Sequence, residues 1–153
     1  MKELYTMPNN ITSLSSELIE EQDISIVNLS LLLEQSVIQH TIQEEDKIYV
    51  TESGIFAHWI RIFKEPCIIA LSTYFTLPEG MGDVQKLEFC NKINAEYLVP
   101  SAYTKDDRVW LFNPIYFKSG LIKSHLVRQI RYFASGCQKV RRELKSNIDG
   151  KAE

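Results

Sequence analysis

The chain has 153 residues, of which 44% are hydrophobic and 24% are charged, and its formal net charge is −3. This length suits one domain, and this composition is typical of a globular protein and excludes an intrinsically disordered one. The slightly negative charge argues against general nucleic-acid binding.

The three cysteines, Cys67, Cys90 and Cys137, are widely spaced and include no C-x-x-C pair. Such a set is a poor disulfide framework and indicates a reducing compartment. Each lies in an apolar run, which favours a small buried side chain. Met1–Ile11 lacks the apolar core of a signal peptide, and no run reaches the roughly 18–20 apolar residues of a membrane span. We therefore expect a cytoplasmic protein that has no membrane partner.

The chain begins with a polar arm over residues 1–23, with a short helix predicted at 16–22. A single domain is predicted over 24–146, and residues 147–153 are predicted to be a frayed tail. The first helix of the domain is predicted from Ser25 to Val37, because apolar residues recur there at helical spacing. Ser25 is a suitable N-cap.

Three strands are predicted next, over Lys47–Thr51, Ile55–Phe63 and Cys67–Leu77. Turn signals at Ser53-Gly54 and Glu65-Pro66 separate them, which predicts an antiparallel meander. The second and third runs carry apolar residues in both alternating registers. We therefore expect central strands with both faces at least partly covered.

A second helix is predicted from Val84 to Tyr97, with Asp83 as its cap. Its predicted buried stripe is Leu87, Cys90, Ile93 and Tyr97. Two further strands are predicted over Ala102–Thr104 and Val109–Phe117, joined by a turn at residues 105–108.

The last helix is predicted from Leu121 to Lys145, directly after Gly120. One apolar stripe follows it for about six turns: Ile122, Leu126, Ile130, Phe133, Cys137, Val140 and Leu144. The resulting order is α-β-β-β-α-β-β-α. It predicts an α+β domain in which three helices pack on an antiparallel sheet of about five strands.

No catalytic or metal-binding pattern emerges from the sequence. His40, His58 and His125 are isolated, so a metal site is not expected. There is no G-x-S-x-G elbow, and Cys90 lies in the middle of a helical apolar stripe instead of at an electropositive site. Gly80-Met-Gly82 superficially resembles an anion-binding loop but lacks the third glycine of the dinucleotide fingerprint. We therefore predict a protein that is not an enzyme and binds no cofactor.

Charge is strongly separated along the chain. Residues 17–52 contain nine acidic residues and one lysine, whereas residues 118–145 contain eight cations and one glutamate. Arg128, Arg131, Lys139 and Arg142 lie opposite the apolar stripe of the last helix. They form either a solvated helix face or a contact for an acidic or phosphate-bearing partner. Nucleic acid is disfavoured, because no stacking motif accompanies the cations.

Aromatic residues are abundant in the predicted strands. Six of them exceed what one small sheet face can easily hide: Trp59, Tyr74, Phe75, Trp110, Phe112 and Tyr116. Core packing would account for most, and the remainder would form an apolar patch of the kind that marks an interaction site.

Residues 24–145 resemble the YbjN family, a group named putative bacterial sensory transduction regulators. Asn91-Lys-Ile-Asn94 looks like the family's N-x-x-N helix end, which leads through Pro100 into a strand. Ser119-Gly120-Leu121 resembles the glycine that opens the final helix, and Glu44-Glu-Asp46 before Ile48 also fits. Asn91 and Asn94 share a helix face, where they can satisfy backbone groups or, alternatively, bind a ligand.

The resemblance implies a fold like that of type III secretion chaperones and implies no enzymatic activity or cofactor. We therefore expect a protein-binding domain, either chaperone-like or a regulatory adaptor, that forms a homodimer. The alternative is a regulator that binds a phosphate-bearing ligand or nucleic acid through the basic face of the last helix.

Overall fold

The computed structural model of the chain describes residues 17–149, with side chains through residue 146. Within this range the chain forms three α-helices and eight strands. The helices are α1 (Ile26–Gln35), α2 (Asp83–Glu96) and α3 (Lys123–Asp149). The strands are β1 (Leu18–Ile19), β2 (His40–Glu44), β3 (Lys47–Val50), β4 (His58–Phe63), β5 (Ile68–Thr76), β6 (Ser101–Lys105), β7 (Arg108–Tyr116) and β8 (Leu121–Ile122).

Six of these strands form one antiparallel sheet in the order β2-β3-β4-β5-β7-β6. Its centre is the pair β5 and β7, in register from Ile68 opposite Tyr116 to Thr76 opposite Arg108. β1 and β8 pair separately as a short ribbon. The prediction of an antiparallel α+β domain with three helices is confirmed. The prediction of about five strands is wrong, because the main sheet has six and the ribbon has two.

The strand that the sequence did not predict in the main sheet is β2. It lies at the edge of the sheet, and residues 41–44 are all exposed. An edge strand that is exposed on both faces lacks the apolar alternation from which strands are predicted. The acidic run Glu44-Glu45-Asp46, interpreted from sequence as the approach to a turn, contains the end of β2 and the turn itself.

The hairpin between β6 and β7 reverses where the sequence predicted it. Lys105 and Arg108 are paired, and Asp106 and Asp107 between them have φ values of 52° and 56°. Two consecutive left-handed residues match the twist of a two-residue hairpin. Aspartate tolerates this conformation better than most side chains.

Strict alternation divides the main sheet into an inner and an outer face. On β5 the odd-numbered residues are buried, Ile69 and Leu71 completely, whereas the even-numbered residues are half-buried or exposed. β3, β4 and β7 alternate in the same way. The expected central strands are therefore present, but their second face is only partly covered.

Helix α1 begins as predicted and ends two residues early. The Ser25 hydroxyl accepts a hydrogen bond from the Asn28 N–H at 3.2 Å, which confirms the N-cap. At the C-terminus the Ile38 N–H donates to the Leu33 carbonyl at 2.9 Å and the Val37 N–H donates to the Glu34 carbonyl at 3.0 Å. This pattern is a Schellman motif, in which the penultimate residue is left-handed. Val37 occupies that position with φ 58° and is 78% exposed. It therefore does not extend the buried stripe, although its spacing predicted that it would.

Helix α2 differs from its prediction at its cap and in its buried stripe. Gly82, and not Asp83, is the N-cap, and its N–H donates to the Gln85 side chain at 3.1 Å. Leu87 was predicted to be buried but is 55% exposed, and Phe89 takes its place beside Cys90 in the core. α2 packs against β6 at the edge of the sheet, so only a narrow stripe of the helix is covered.

Helix α3 crosses the inner face of the sheet and supplies much of the core. Its predicted stripe is buried from the second member onward: Leu126, Ile130, Phe133, Cys137, Val140 and Leu144. The first member, Ile122, belongs to β8 and is 43% exposed. Gly136 allows a close approach, because a Cβ atom there would lie 2.5 Å from the Val99 carbonyl oxygen.

Residues 17–23 are held against the start of α3. Leu18 and Ile19 pair with β8, so the helix predicted at 16–22 is wrong there, and only a single 3-10 turn at Glu21–Asp23 overlaps its end. Hydrogen bonds from the Ser124 hydroxyl and from the Ser124 N–H, the latter at 2.9 Å, lower the pKa of the Glu17 carboxyl. Gly120 has φ 95°, and a Cβ atom there would lie 2.6 Å from the Ile19 carbonyl oxygen. Residues 1–16 of the predicted arm lie outside the described residues, as do residues 150–153 of the predicted tail.

We predict that Val37→Gly stabilises the protein by about 1 kcal/mol. Glycine removes the steric cost of a left-handed valine, which exceeds the entropy that glycine loses on folding. Urea unfolding would measure the change as a higher midpoint at an unchanged slope. Val27→Gly is the matched control, because Val27 is also exposed in this region but right-handed helical. It is expected to lower the midpoint, and equal effects of the two substitutions would contradict the prediction.

Candidate functional site

The outer face of the main sheet carries a continuous line of six aromatic rings, which we call the aromatic row. Its members are Tyr49, Trp59, Tyr74, Trp110, Tyr103 and Phe112. Three of its contacts join residues directly opposite each other on neighbouring strands, and the other two join residues one diagonal step apart. Successive ring centroids lie 5.0–6.4 Å apart. The row therefore crosses five strands as one connected apolar surface.

The strict alternation of the strands decides which aromatic residues reach this face. Of the six residues singled out in the sequence, Phe75 alone is buried in the core. Trp59, Tyr74, Trp110 and Phe112 are half-buried members of the row, and Tyr116 is exposed beyond its end. Core packing as the explanation for most of them is therefore wrong. The sequence could have predicted this arrangement, because the aromatic residues of β5 and β7 other than Phe75 all lie at even-numbered positions, which face the same side of the sheet.

Two pairs of neighbouring rings in the row are nearly parallel. Trp59 and Tyr74 have an interplanar angle of 10° and centroids 5.8 Å apart. Tyr103 and Trp110 are inclined by 9° at 6.4 Å. The other three contacts are tilted or edge-on, so the row combines both of the favourable arrangements of aromatic pairs.

Polar groups hold the row at its margins. The Arg108 guanidinium lies 4.3 Å from the centroid of the Tyr74 ring. The Trp59 indole N–H donates to the Gln43 side chain at 3.0 Å, which extends the connected surface to the edge strand β2. These contacts restrict the aromatic side chains before any partner arrives.

A second surface, which we call the basic groove, lies between α3 and the loop that precedes β4. Three of the four predicted partner-contact residues line it, Arg131, Lys139 and Arg142, around a volume of about 350 Å³. No aspartate or glutamate is among its lining residues in the described chain. The fourth residue, Arg128, is exposed on the same helix but lies outside the groove. Arg131 also donates to the Ser36 carbonyl at 3.0 Å, which ties α3 to the end of α1.

A third concave region, which we call the sheet slot, lies where β4 and β5 diverge and has a volume of about 540 Å³. Phe56 lines both the slot and the basic groove, so the two are neighbours. The Arg141 guanidinium lies 5.7 Å from the Phe56 ring centroid. Trp59 and Tyr74 of the aromatic row form part of the slot's lining. No sequence pattern indicated the slot, because it arises from the different lengths of two paired strands.

The residues of the resemblance motif lie apart from all three surfaces. The Asn94 side-chain amide makes two hydrogen bonds to the backbone at the start of β6. Its NH₂ group donates to the Ala102 carbonyl at 3.0 Å, and its oxygen accepts from the Ala102 N–H at 2.7 Å. Asn91 is exposed and makes no side-chain hydrogen bond within the described residues. Pro100 is buried next to Gly136 of α3, and Gly120 faces Ile19.

The histidines and cysteines are dispersed. His58 is fully buried, with Nδ1 2.7 Å from the Phe56 carbonyl oxygen and Nε2 without a partner among residues 17–149, and burial lowers its pKa. Burial raises the pKa of the Cys90 and Cys137 thiols. Cys67 is half-buried in the turn before β5 and is not the buried strand residue expected from its apolar surroundings.

No three His, Cys, Asp or Glu side chains of the described chain lie close enough together to hold a metal ion. Over the same stretch, no helix is both long enough and apolar enough to span a bilayer.

Together these features define the class: an α+β domain whose helices cover one face of an antiparallel sheet and leave an aromatic face open. The family model for YbjN, described as "Putative bacterial sensory transduction regulator", matches residues 25–146. The chain belongs to the YbjN family, which confirms the family resemblance of its sequence motifs. A search of the curated proteins found no match.

Among solved structures, this fold is similar to the crystal structure of YbjN from E. coli, which is described as a putative transcription regulator. The TM-score is 0.68 at 14% identity, and the alignment covers 82% of this chain and 94% of that chain. At this identity the likeness shows a common fold, and fold alone does not define function.

We predict that Asn94→Ala destabilises the protein by about 1–2 kcal/mol, since it removes two hydrogen bonds to the backbone of Ala102. Asn91→Ala removes an amide of the same helix that makes no such bond, so it should change the unfolding free energy by less than about 0.5 kcal/mol. Urea unfolding monitored by circular dichroism would measure both. Equal losses for the two variants would contradict the structural role of Asn94.

Proposed function

We propose that this chain is a non-enzymatic protein-binding domain that docks its partner on the aromatic row. The observation that carries this proposal is the unbroken line of rings across five strands, on the sheet face opposite the core. Exposed apolar patches of this kind mark interaction sites on soluble proteins. Tyrosine, tryptophan and arginine are also the residues that dominate the energy of protein interfaces.

The size of the face is suited to a specific complex. Six strands about 4.8 Å apart, four of them some 13–20 Å long and the central two about 30 Å, give a face of roughly 600 Å². A partner that covers it would bury about 1,000–1,400 Å² in total, which reaches the range of specific protein interfaces. The fixed rings lose little side-chain entropy on binding, since their contacts with one another already restrict them.

The proposed role is that of a chaperone-like or regulatory adaptor in the cytoplasm. Membership of a family described as a sensory transduction regulator supports regulation, and the order of helices and central strands supports the likeness to type III secretion chaperones. A homodimer through the sheet face is one form that the complex would take. In that case the partner on the aromatic row is a second copy of the chain.

Site-specific photo-crosslinking tests this function. A benzophenone amino acid replaces Tyr103, which is 44% exposed at one end of the row, or Tyr132, which is 58% exposed on α3. Irradiation of cells should give a discrete protein adduct from position 103, at least about five-fold stronger than the adduct from position 132. Irradiation of the purified protein shows whether that adduct is a second copy.

Adducts of equal strength from both positions would contradict docking on the aromatic row. An adduct from position 132 alone would contradict it as well and would assign the partner to the helix side.

The basic groove supports a second candidate function, the binding of a phosphate-bearing ligand or nucleic acid. Three cations converge there, and no carboxylate of the described residues lies in its lining. The description of the E. coli structure as a putative transcription regulator is compatible with a nucleic-acid ligand. Such binding would be dominated by charge and would weaken as salt is raised.

The second candidate predicts that the double variant Lys139→Ala/Arg142→Ala loses at least about ten-fold in affinity for a fluorescent single-stranded oligonucleotide or for pyrophosphate. Removal of two phosphate contacts should also flatten the dependence of affinity on salt. Arg128→Ala is the matched control, since this cation lies on the same helix outside the groove. Unchanged affinity in the double variant, or an equal loss in the control, would eliminate the groove as the binding site.

A further inference from the structure

The sheet slot exists because β4 is shorter than the strand beside it. The pairing of β4 with β5 ends where Trp59 lies opposite Ser72. β5 continues to Thr76 and remains paired with β7 over all of that length. The last part of β5 therefore has a neighbour on one side and none of the described strands on the other.

The backbone groups on the free side of β5 can be identified from hydrogen bonds at its two ends. The Leu77 N–H donates to the Asp107 carbonyl at 3.3 Å, and the Cys67 carbonyl accepts from the Phe117 N–H at 3.0 Å. Both bonds point toward β7 and both involve odd-numbered residues. Because alternate residues of a strand bond to opposite neighbours, the N–H and C=O groups of Tyr74 and Thr76 point into the slot.

The chain before β4 does not satisfy these groups. Continuation of the register would place Ala57 opposite Tyr74, but the Ala57 carbonyl accepts a hydrogen bond from the Thr73 hydroxyl at 3.1 Å instead. No described backbone group pairs with Tyr74 or Thr76 on this side. The slot thus contains an open strand edge in the interior of a sheet, a place where such edges are normally paired.

The lining of the slot adds charge and apolar surface to this edge. Arg141 and Lys145 of α3 contribute two cations, and neither forms an ion pair with the described residues. No aspartate or glutamate of the described chain lines the slot. Phe56 and Trp59 contribute apolar walls. The slot is therefore complementary to an extended chain that carries a negative charge.

We propose that the sheet slot binds a short extended polypeptide segment of the partner, which adds to the free edge of β5 and places a carboxylate beside Arg141 and Lys145. This deepens the proposed function and rests on it, since it names the chemistry of the partner. Strand addition to an exposed edge is a general mode of peptide recognition. The bonds of Tyr74 and Thr76 span about three residues of a partner strand at roughly 3.3 Å per residue.

The position of the slot excludes a broader occupant. Because Phe56 and Ala57 line the slot beside β5 and β4 closes one end of it, the edge strand of a second sheet would collide with them, whereas a single chain would not. The closed end at Trp59 and Ser72 also limits the segment to a few residues. A phosphate-bearing chain would match the two cations but would leave the strand edge unpaired.

Fluorescein-labelled tetrapeptides built from valine and threonine test the proposal on the full chain. One ends in a glutamate with an amidated terminus, one has a free terminal carboxylate and no acidic side chain, and one has no carboxylate at all. Either carboxylate peptide should bind at least ten-fold tighter than the uncharged one and should shift the amide resonances of Tyr74 and Thr76. The stronger of the two identifies the carboxylate as a side chain or a chain terminus. N-methylation of the peptide backbone should abolish binding.

Substitutions distinguish the contribution of the two cations from that of the strand edge. The double variant Arg141→Gln/Lys145→Gln should weaken binding of the carboxylate peptides at least ten-fold, with little effect on binding of the uncharged peptide. Arg128→Gln, on the same helix outside the slot, should leave both unchanged. Resonance shifts confined to β2 or β6, or no binding of any peptide at millimolar concentration, would overturn the proposal.

Three other results would overturn it by assigning the slot to a different occupant. In the first, pyrophosphate competes with the carboxylate peptide at equal affinity. In the second, the amide resonances of Tyr74 and Thr76 shift with protein concentration in the absence of peptide. In the third, the peptide binds more tightly after removal of residues 147–153. Failure of the peptides while position 103 still crosslinks a partner would leave the protein-binding function standing. Loss of the adduct from position 103 would contradict both the protein-binding function and the proposal for the slot.

Discussion

The packing of α3 on the inner face of the sheet is the constraint on which the rest of the structure depends. The helix buries a long apolar stripe, in which Phe133 contacts the ring of His58 on β4. Gly136 allows its backbone to approach the chain at Val99. Because one helix fills the inner face over much of its length, every strand beneath it must present its apolar register to the same side.

This constraint creates the candidate surfaces. The residues of the opposite register must face outward, so the aromatic residues that the strands carry in that register lie on the open face, and Phe75, in the inner register, is buried. The same helix directs Arg131, Lys139 and Arg142 toward the basic groove and Arg141 toward the slot. The three surfaces therefore share one structural origin, and Phe56 lies at the boundary between the two concave ones.

Local features of the fold were predictable from the sequence where a few neighbouring residues determine the backbone conformation. Examples are the Ser25 cap, the reversal at Asp106-Asp107 and the stripe of α3. Predictions failed where distant chain segments intervene. Val37 has helical spacing, but the Schellman motif turns the chain away, and Leu87 is left uncovered because α2 packs only at the sheet edge. The candidate site was anticipated as cations and surplus aromatic residues, without their arrangement.

The sequence by itself determined the family, the order of helices and central strands, and which face of the last helix is basic. These features follow from the periodicity of apolar residues and from short motifs, which act over one or two turns of chain. Only the tertiary structure decided that the aromatic residues align across five strands, that Arg128 is separated from the other three cations, and that a strand edge stays open beside Tyr74. Strand order, register and unequal strand lengths determine these arrangements, and they depend on contacts between residues far apart in the chain.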